Sequence, residues 1–169
     1  MTIVYTSKTG ITKKYAKMLA EMTGLSAVSL DEADIPGGEE IIYFGWLCAG
    51  AISGYKKAQK QFVVRAVCGV GMTPDSEKQT YDLRANNKIS HDTTVFYLPG
   101  GYNLEKLKGA SALILKTVGK KVKAGLEKKS ERTPDEDVLL DILTNGGDFA
   151  SQERLEPIVQ WLQSTQNIG

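Results

Sequence analysis

The chain has 169 residues, enough for one domain with a sizeable core, and its 41% hydrophobic and 24% charged residues describe an ordinary globular protein. With 21 basic against 20 acidic residues the net charge is +1, which excludes the broad positive surface of a nucleic-acid binder. A single histidine (His91) and two cysteines (Cys48, Cys68) exclude a disulfide framework, leave no metal-ligand spacing and argue against a Ser-His-Asp triad.

The first predicted element is a strand over Thr2–Thr6, followed by the turn Ser7-Lys8-Thr9-Gly10-Ile11-Thr12 and an amphipathic helix from Thr12 to Met22. A weak strand over Ser26–Leu30 and a stronger one over Glu40–Gly45 come next, and the latter gives way to an apolar loop, Trp46-Leu47-Cys48-Ala49-Gly50-Ala51. A short helix over Tyr55–Lys60 leads to a strand over Phe62–Gly69 and a second apolar loop, Gly69-Val70-Gly71-Met72-Thr73. A helix over Ser76–Asn87 and a strand over Thr93–Leu98 precede Pro99-Gly100-Gly101. From there only helices are predicted, the first over Leu104–Lys128, whose lysine-rich end (Lys120–Lys129) reads as a solvated face. Thr133-Pro134-Asp135-Glu136 is a capping box that starts the next helix, which ends near Gly146-Gly147. The last helix, Ser151–Gln163, places Leu155, Ile158, Val159 and Leu162 on one face.

Strands alternating with helices predict an α/β domain, residues 1–169, with a five-stranded parallel sheet, helices on both faces and a helical C-terminal tail from about residue 130. No apolar run approaches about 18 residues, the length that suggests a membrane span. The strand residues Ile3-Val4-Tyr5 follow the first residues directly, leaving no room for a leader. The expected location is therefore cytoplasmic.

The turn after the first strand carries the most chemistry. Amides at a helix start point outward without intrahelical acceptors, and the helix dipole adds partial positive charge there, so the position suits a phosphate. Ser7, Thr9 and Thr12 bring hydroxyl donors, Gly10 allows close backbone approach, and Lys8 brings a cation. The same composition also makes an ordinary helix cap. In an open parallel sheet this turn and the two apolar loops leave the same edge, where ligands bind beyond the strand ends. Together they describe a site for a mononucleotide with an aromatic head.

Tyr5-Thr6-Ser7-Lys8-Thr9-Gly10-Ile11-Thr12, with Ala16 and Leu19 following, resembles the FMN-phosphate signature of the flavodoxin family. The resemblance implies a flavodoxin-like three-layer α/β/α sandwich with strand order 2-1-3-4-5, for which flavodoxin is itself the standing example, with FMN at the switch point. It further implies that Ser7, Thr9, Gly10 and Thr12, with backbone groups of Lys8 and Ile11, hold the phosphate of FMN. Trp46, Leu47, Cys48, Ala49 and Gly50, and Gly69, Val70, Gly71 and Met72, would then flank the isoalloxazine. A glycine peptide within Ala49-Gly50-Ala51 would turn its carbonyl towards the flavin. Two departures stand out: Ile11 occupies a position where many flavodoxins have asparagine, and the loop Gly69–Thr73 has no aromatic residue to stack on the ring. Met72 offers soft apolar contact instead, and Trp46, Tyr55 and Tyr102 are other candidates to cover the ring. Cys48 reads as a small buried hydrophobe, not a redox thiol, because no second cysteine is near it in sequence.

The resemblance implies an FMN-binding redox protein that passes electrons to a redox partner protein. Shuttle flavodoxins are usually acidic, whereas this chain is nearly neutral. The segment Leu98–Leu107 and the helical C-terminus resemble flavodoxin-domain proteins of the menaquinone-dependent protoporphyrinogen oxidase subfamily. That alternative implies an FMN-dependent oxidoreductase with a quinone or other small-molecule acceptor, and peripheral contact with a membrane through lysines. A third expectation is a flavodoxin-fold interaction module without catalysis.

Overall fold

The computed structural model describes residues 1–102 and 110–166. Its first strand, β1 (Thr2–Thr6), is buried across its middle, as a central strand covered on both faces must be. Beside it run β2 (Ala27–Ser29), β3 (Glu40–Cys48), β5 (Val63–Gly71) and β6 (Thr94–Pro99), all parallel, in the order β2-β1-β3-β5-β6. The expected order 2-1-3-4-5 is this order, once the short added strand β4 (Ala51–Ile52) takes a number of its own.

Two of the expected strands are longer than the sequence suggested. β3 runs through Trp46, Leu47 and Cys48, and β5 runs through Val70 and Gly71, so these residues are strand and not loop. Trp46 pairs with Val70 across the two extensions, and Leu47 and Cys48 pair back onto Ile52 and Ala51. The hairpin closes on Ala49 (φ 48°) and Gly50 (φ 79°), the two successive positive φ values of a tight turn matched to strand twist. Extra partners on both sides explain why β3 continues past Gly45.

Alternate strand residues feed two cores. Ile3, Tyr5, Ile42 and Phe44 face α1 (Ile11–Thr23) and α6 (Glu156–Gln166), where Tyr15, Leu19, Ile158 and Leu162 complete one cluster. Val4, Ile41, Tyr43 and Val67 face α2 (Tyr55–Gln61) and α3 (Glu77–Asn87), with Tyr55, Ala58 and Leu83. The result is a three-layer α/β/α sandwich. The helical C-terminal segment ends as part of the sandwich: Leu155, just before α6, and Ile158 within it are fully buried in the first cluster. Val159 packs against the same cluster, as its place on the apolar face requires.

Between β6 and α6 the chain makes a helical excursion. It leaves through β7 (Gly101–Tyr102), forms α4 (Ala110–Glu127) and α5 (Pro134–Asn145), and returns through β8 (Gly147–Asp148), which pairs antiparallel with β7. The two helices share a small core of Leu126, Ile142 and Leu143. The capping box at Thr133 forms as expected, with Thr133 Oγ1 accepting from the Glu136 amide at 3.3 Å and Glu136 Oε2 accepting from the Thr133 amide at 3.1 Å. The expected start of α4 at Leu104, and residues 103–107 of the segment Leu98–Leu107, lie outside the described residues. The lysines of α4's second half are largely exposed, as a solvated face would be. No helix among the described residues is long and apolar enough to cross a membrane.

Candidate functional site

The ends of β1, β3 and β5 meet at one edge of the sheet, and the excursion α4–α5 stands beside them. β1 stops at Thr6, and the chain turns through Ser7 and Gly10 into α1. Gly10 takes the N-cap position with φ 97°, a left-handed conformation that glycine adopts without penalty. No side chain makes the usual cap bond, and no acidic residue stands in the first turn. Ser7 Oγ accepts from the Lys13 amide at 3.2 Å and so takes one of the helix-start donors; the first bond within the helix runs from the Lys14 amide to the Gly10 carbonyl at 2.9 Å. The Ile11 and Thr12 amides are among those donors, which have no acceptor within the helix.

Thr12 is only 2% exposed, and no hydrogen bond of the described residues engages its hydroxyl. It borders a cavity of about 220 Å³. Lys8, Thr9, Ile11 and Thr12 form the anion-turn side of this cavity, and Trp46, Leu47, Val70, Gly71 and Met72 form the strand-end side. Gly101, the α4 residues Val118, Gly119 and Val122, and the α5 residues Leu139 and Leu143 complete it. Away from the turn the wall is hydrocarbon. The turn thus offers amide and hydroxyl donors, and the wall beside it offers apolar surface.

The other expected site residues stand outside this lining. Ser7 and Gly10 belong to the turn, Ser7 through its bond to the Lys13 amide and Gly10 as the N-cap, without lining the cavity. Cys48 is exposed at the corner of the hairpin, which corrects the expectation of a buried hydrophobe: β3 carries it past the core before turning back. The Gly50 carbonyl accepts from Asn87 Nδ2 at 2.9 Å, while Asn87 Oδ1 accepts from the Ile52 amide at 2.8 Å. Asn87 thus holds the Gly50–Ala51 peptide towards α3. Gly69 also faces α3, where an added Cβ would lie 2.5 Å from Leu83 Cδ2; its lack of a side chain lets that helix close on the sheet. Tyr55 is buried in the second core with its ring centroid 6.2 Å from that of Tyr43, so it does not reach the cavity. The side chain of Tyr102, the remaining aromatic candidate, lies outside what the structure describes.

Tyrosine hydroxyls hold this edge together. Tyr43 from β3 contacts Thr6 Oγ1 and the Ser53 carbonyl, each at 2.7 Å. Tyr97 from β6 accepts from the Thr73 amide at 3.0 Å and donates to the Thr73 carbonyl at 2.9 Å, fixing the segment after β5. Gly71 makes room for it, since an added Cβ would fall 2.3 Å from the Tyr97 hydroxyl. Tyr15 from α1 donates to the Pro99 carbonyl at 2.7 Å, with the Phe149 carbonyl at 3.3 Å, so it joins the start of the helical excursion to its end. Lys14 adds an ion pair to Asp148 at 2.9 Å. Burial pushes the phenols of Tyr15 and Tyr43 up to about 12 and also raises that of Tyr97, so all three keep their protons at neutral pH. Burial likewise pushes up the Cys68 thiol at the centre of the sheet, which makes it unreactive.

The α4–α5 wall and the tyrosine ties were absent from the sequence reading. Val118 with Val122, and Leu139 with Leu143, are apolar pairs spaced four apart, a pattern that marks a contact face on each helix without saying what it meets. No protein-family model matches the chain, and no curated protein matches it in sequence.

Proposed function

We propose that the chain binds FMN and serves as a flavodoxin-like electron-transfer protein of the cytoplasm. The observation that carries this reading is the meeting of a helix start that has no N-cap side-chain bond and no acidic residue with the hydroxyl of Thr12, which no hydrogen bond among the described residues engages, beside an apolar cavity. The phosphate would take the amides at the start of α1 and the Thr12 hydroxyl, with the charge of Lys8 on the same turn. The ring would lie between Trp46 and Leu47 on one side and Val70, Gly71 and Met72 on the other. FMN, when bound, supplies the redox chemistry; the chain positions it and limits its contact with water.

The purified protein tests this reading. A yellow protein that releases FMN on denaturation, or a colourless one that takes up added FMN, supports it. A protein that neither carries nor takes up FMN overturns it and leaves a flavin-free interaction module. Reduction by a protein reductase with strong salt sensitivity identifies a shuttle.

A second reading, a flavoenzyme with a quinone or other small-molecule acceptor, is favoured by the position of α4 and α5. They line the cavity where a protein partner would need access. The exposed lysines Lys116, Lys120 and Lys121 on α4 would suit peripheral contact with an anionic membrane. Turnover with a soluble quinone, unaffected by protein partners, distinguishes this case.

A further inference from the structure

We infer that the excursion α4–α5 is a wall of the ligand site, and that Gly119 is the place on that wall where a flat aromatic ring seats. α4 contains two glycines, Gly119 in its interior and Gly125 in its last turn, and a glycine within a helix is the poorest choice after proline. They face different surroundings. Gly125 is exposed, and a Cβ added there would meet nothing within 4 Å. Gly119 lines the cavity between Val118 and Val122.

Those two valines border the apolar cavity with 51% and 38% of their surface accessible, so their hydrocarbon is open to an occupant of it. Leu139 and Leu143 face the same space from α5. A ring inserted here would cover the valines, and the bare backbone at Gly119 would let its face approach α4 closely. The occupant is identified by its two ends: an apolar ring against α4–α5 and an anionic group at the start of α1, beside Thr12. α4–α5 supplies the second cover that the loop after β5, without an aromatic residue, does not. This inference rests on the proposed FMN reading and adds a second wall and a size-determining residue to it.

The experiment compares Gly119→Leu with Gly125→Leu, measuring thermal unfolding without ligand and fluorescence titrations with FMN and with lumiflavin, the ring without the phosphate chain. Gly125→Leu replaces glycine by a good helix former where an added Cβ meets nothing within 4 Å, so it should melt higher than the parent by roughly 2–4 °C, and a cooperative melt of Gly119→Leu checks that this variant is folded. Gly125→Leu should bind FMN and lumiflavin as the parent does. Gly119→Leu should weaken both by roughly tenfold or more, because the new side chain occupies the ring's place. Parent-like binding of both ligands by Gly119→Leu would overturn the inference and leave the FMN reading intact. Failure of the parent itself to bind either ligand would overturn both.

Discussion

The hydroxyl of Tyr43 lies 2.7 Å from Thr6 Oγ1 and 2.7 Å from the carbonyl of Ser53. A carbonyl can only accept, so the tyrosine's hydrogen goes to Ser53 and Thr6 donates to the tyrosine oxygen. One buried side chain of the central sheet thereby holds the last residue of β1, just before the anion turn, against the segment that enters α2. Gly54 makes the approach possible, since an added Cβ would fall 2.1 Å from the same hydroxyl.

Tyr43→Phe should therefore cost about 1–3 kcal/mol, the penalty for leaving a buried partner without its hydrogen bond. Urea unfolding of parent and variant measures it. A difference within a few tenths would mean that the tie contributes nothing beyond the ring's packing.

The buried phenols also set the alkaline limit of the fold. Tyr15 and Tyr43 hold their protons to about pH 12 when folded, against 10.0 for the free side chain. Between those values the unfolded chain loses protons that the folded chain retains, so the contribution of these two tyrosines is fully present below about pH 10 and is lost as pH rises towards 12. Each tyrosine contributes a slope of up to about 1.4 kcal/mol per pH unit in that window. Stability measured from pH 8 to 11.5 should show the decline, and Tyr43→Phe should show a shallower one.

Asn87 stands in the same relation to the β3–β4 hairpin as Tyr43 does to the anion turn. Besides Gly50 and Ile52, its amide donates to the Leu83 carbonyl at 2.9 Å. Asn87→Ala should free the turn and expose the Ile52 amide, which would exchange its hydrogen faster by an order of magnitude or more, for about 1.5 kcal/mol of lost local protection. Unchanged exchange at Ile52 would show that the ladder between β3 and β4 holds the corner alone.

Most of the sandwich can be read from the residues. The β-branched runs around Ile3, Ile41 and Val67 stand out between turn residues, and the capping box at Thr133 and the apolar face through Leu155, Ile158 and Leu162 form as expected. What fails is what depends on distant partners. Trp46-Leu47-Cys48 looks like a loop because glycine residues flank it at Gly45 and Gly50, yet pairing with Val70 and with Ile52 makes it a strand. Ala49 gives no local sign of its positive φ. The apolar faces of α4 and α5 are visible as periodicity, but their place at the cavity is a tertiary relation. Cys48 is misread for the same reason: its exposure follows from where the hairpin turns, not from its neighbours in sequence.

Thr12 offers the most direct measurement. Replacing it by valine keeps the shape and removes the hydroxyl, so titrations of the parent and of Thr12→Val with FMN and with riboflavin separate the phosphate from the ring. The parent should bind FMN more tightly than riboflavin. Thr12→Val should lose about 10- to 100-fold in FMN affinity, the worth of one hydrogen bond to a charged group, and keep its riboflavin affinity. Equal binding of FMN and riboflavin by the parent, or an unchanged FMN affinity in Thr12→Val, would contradict a phosphate at the start of α1.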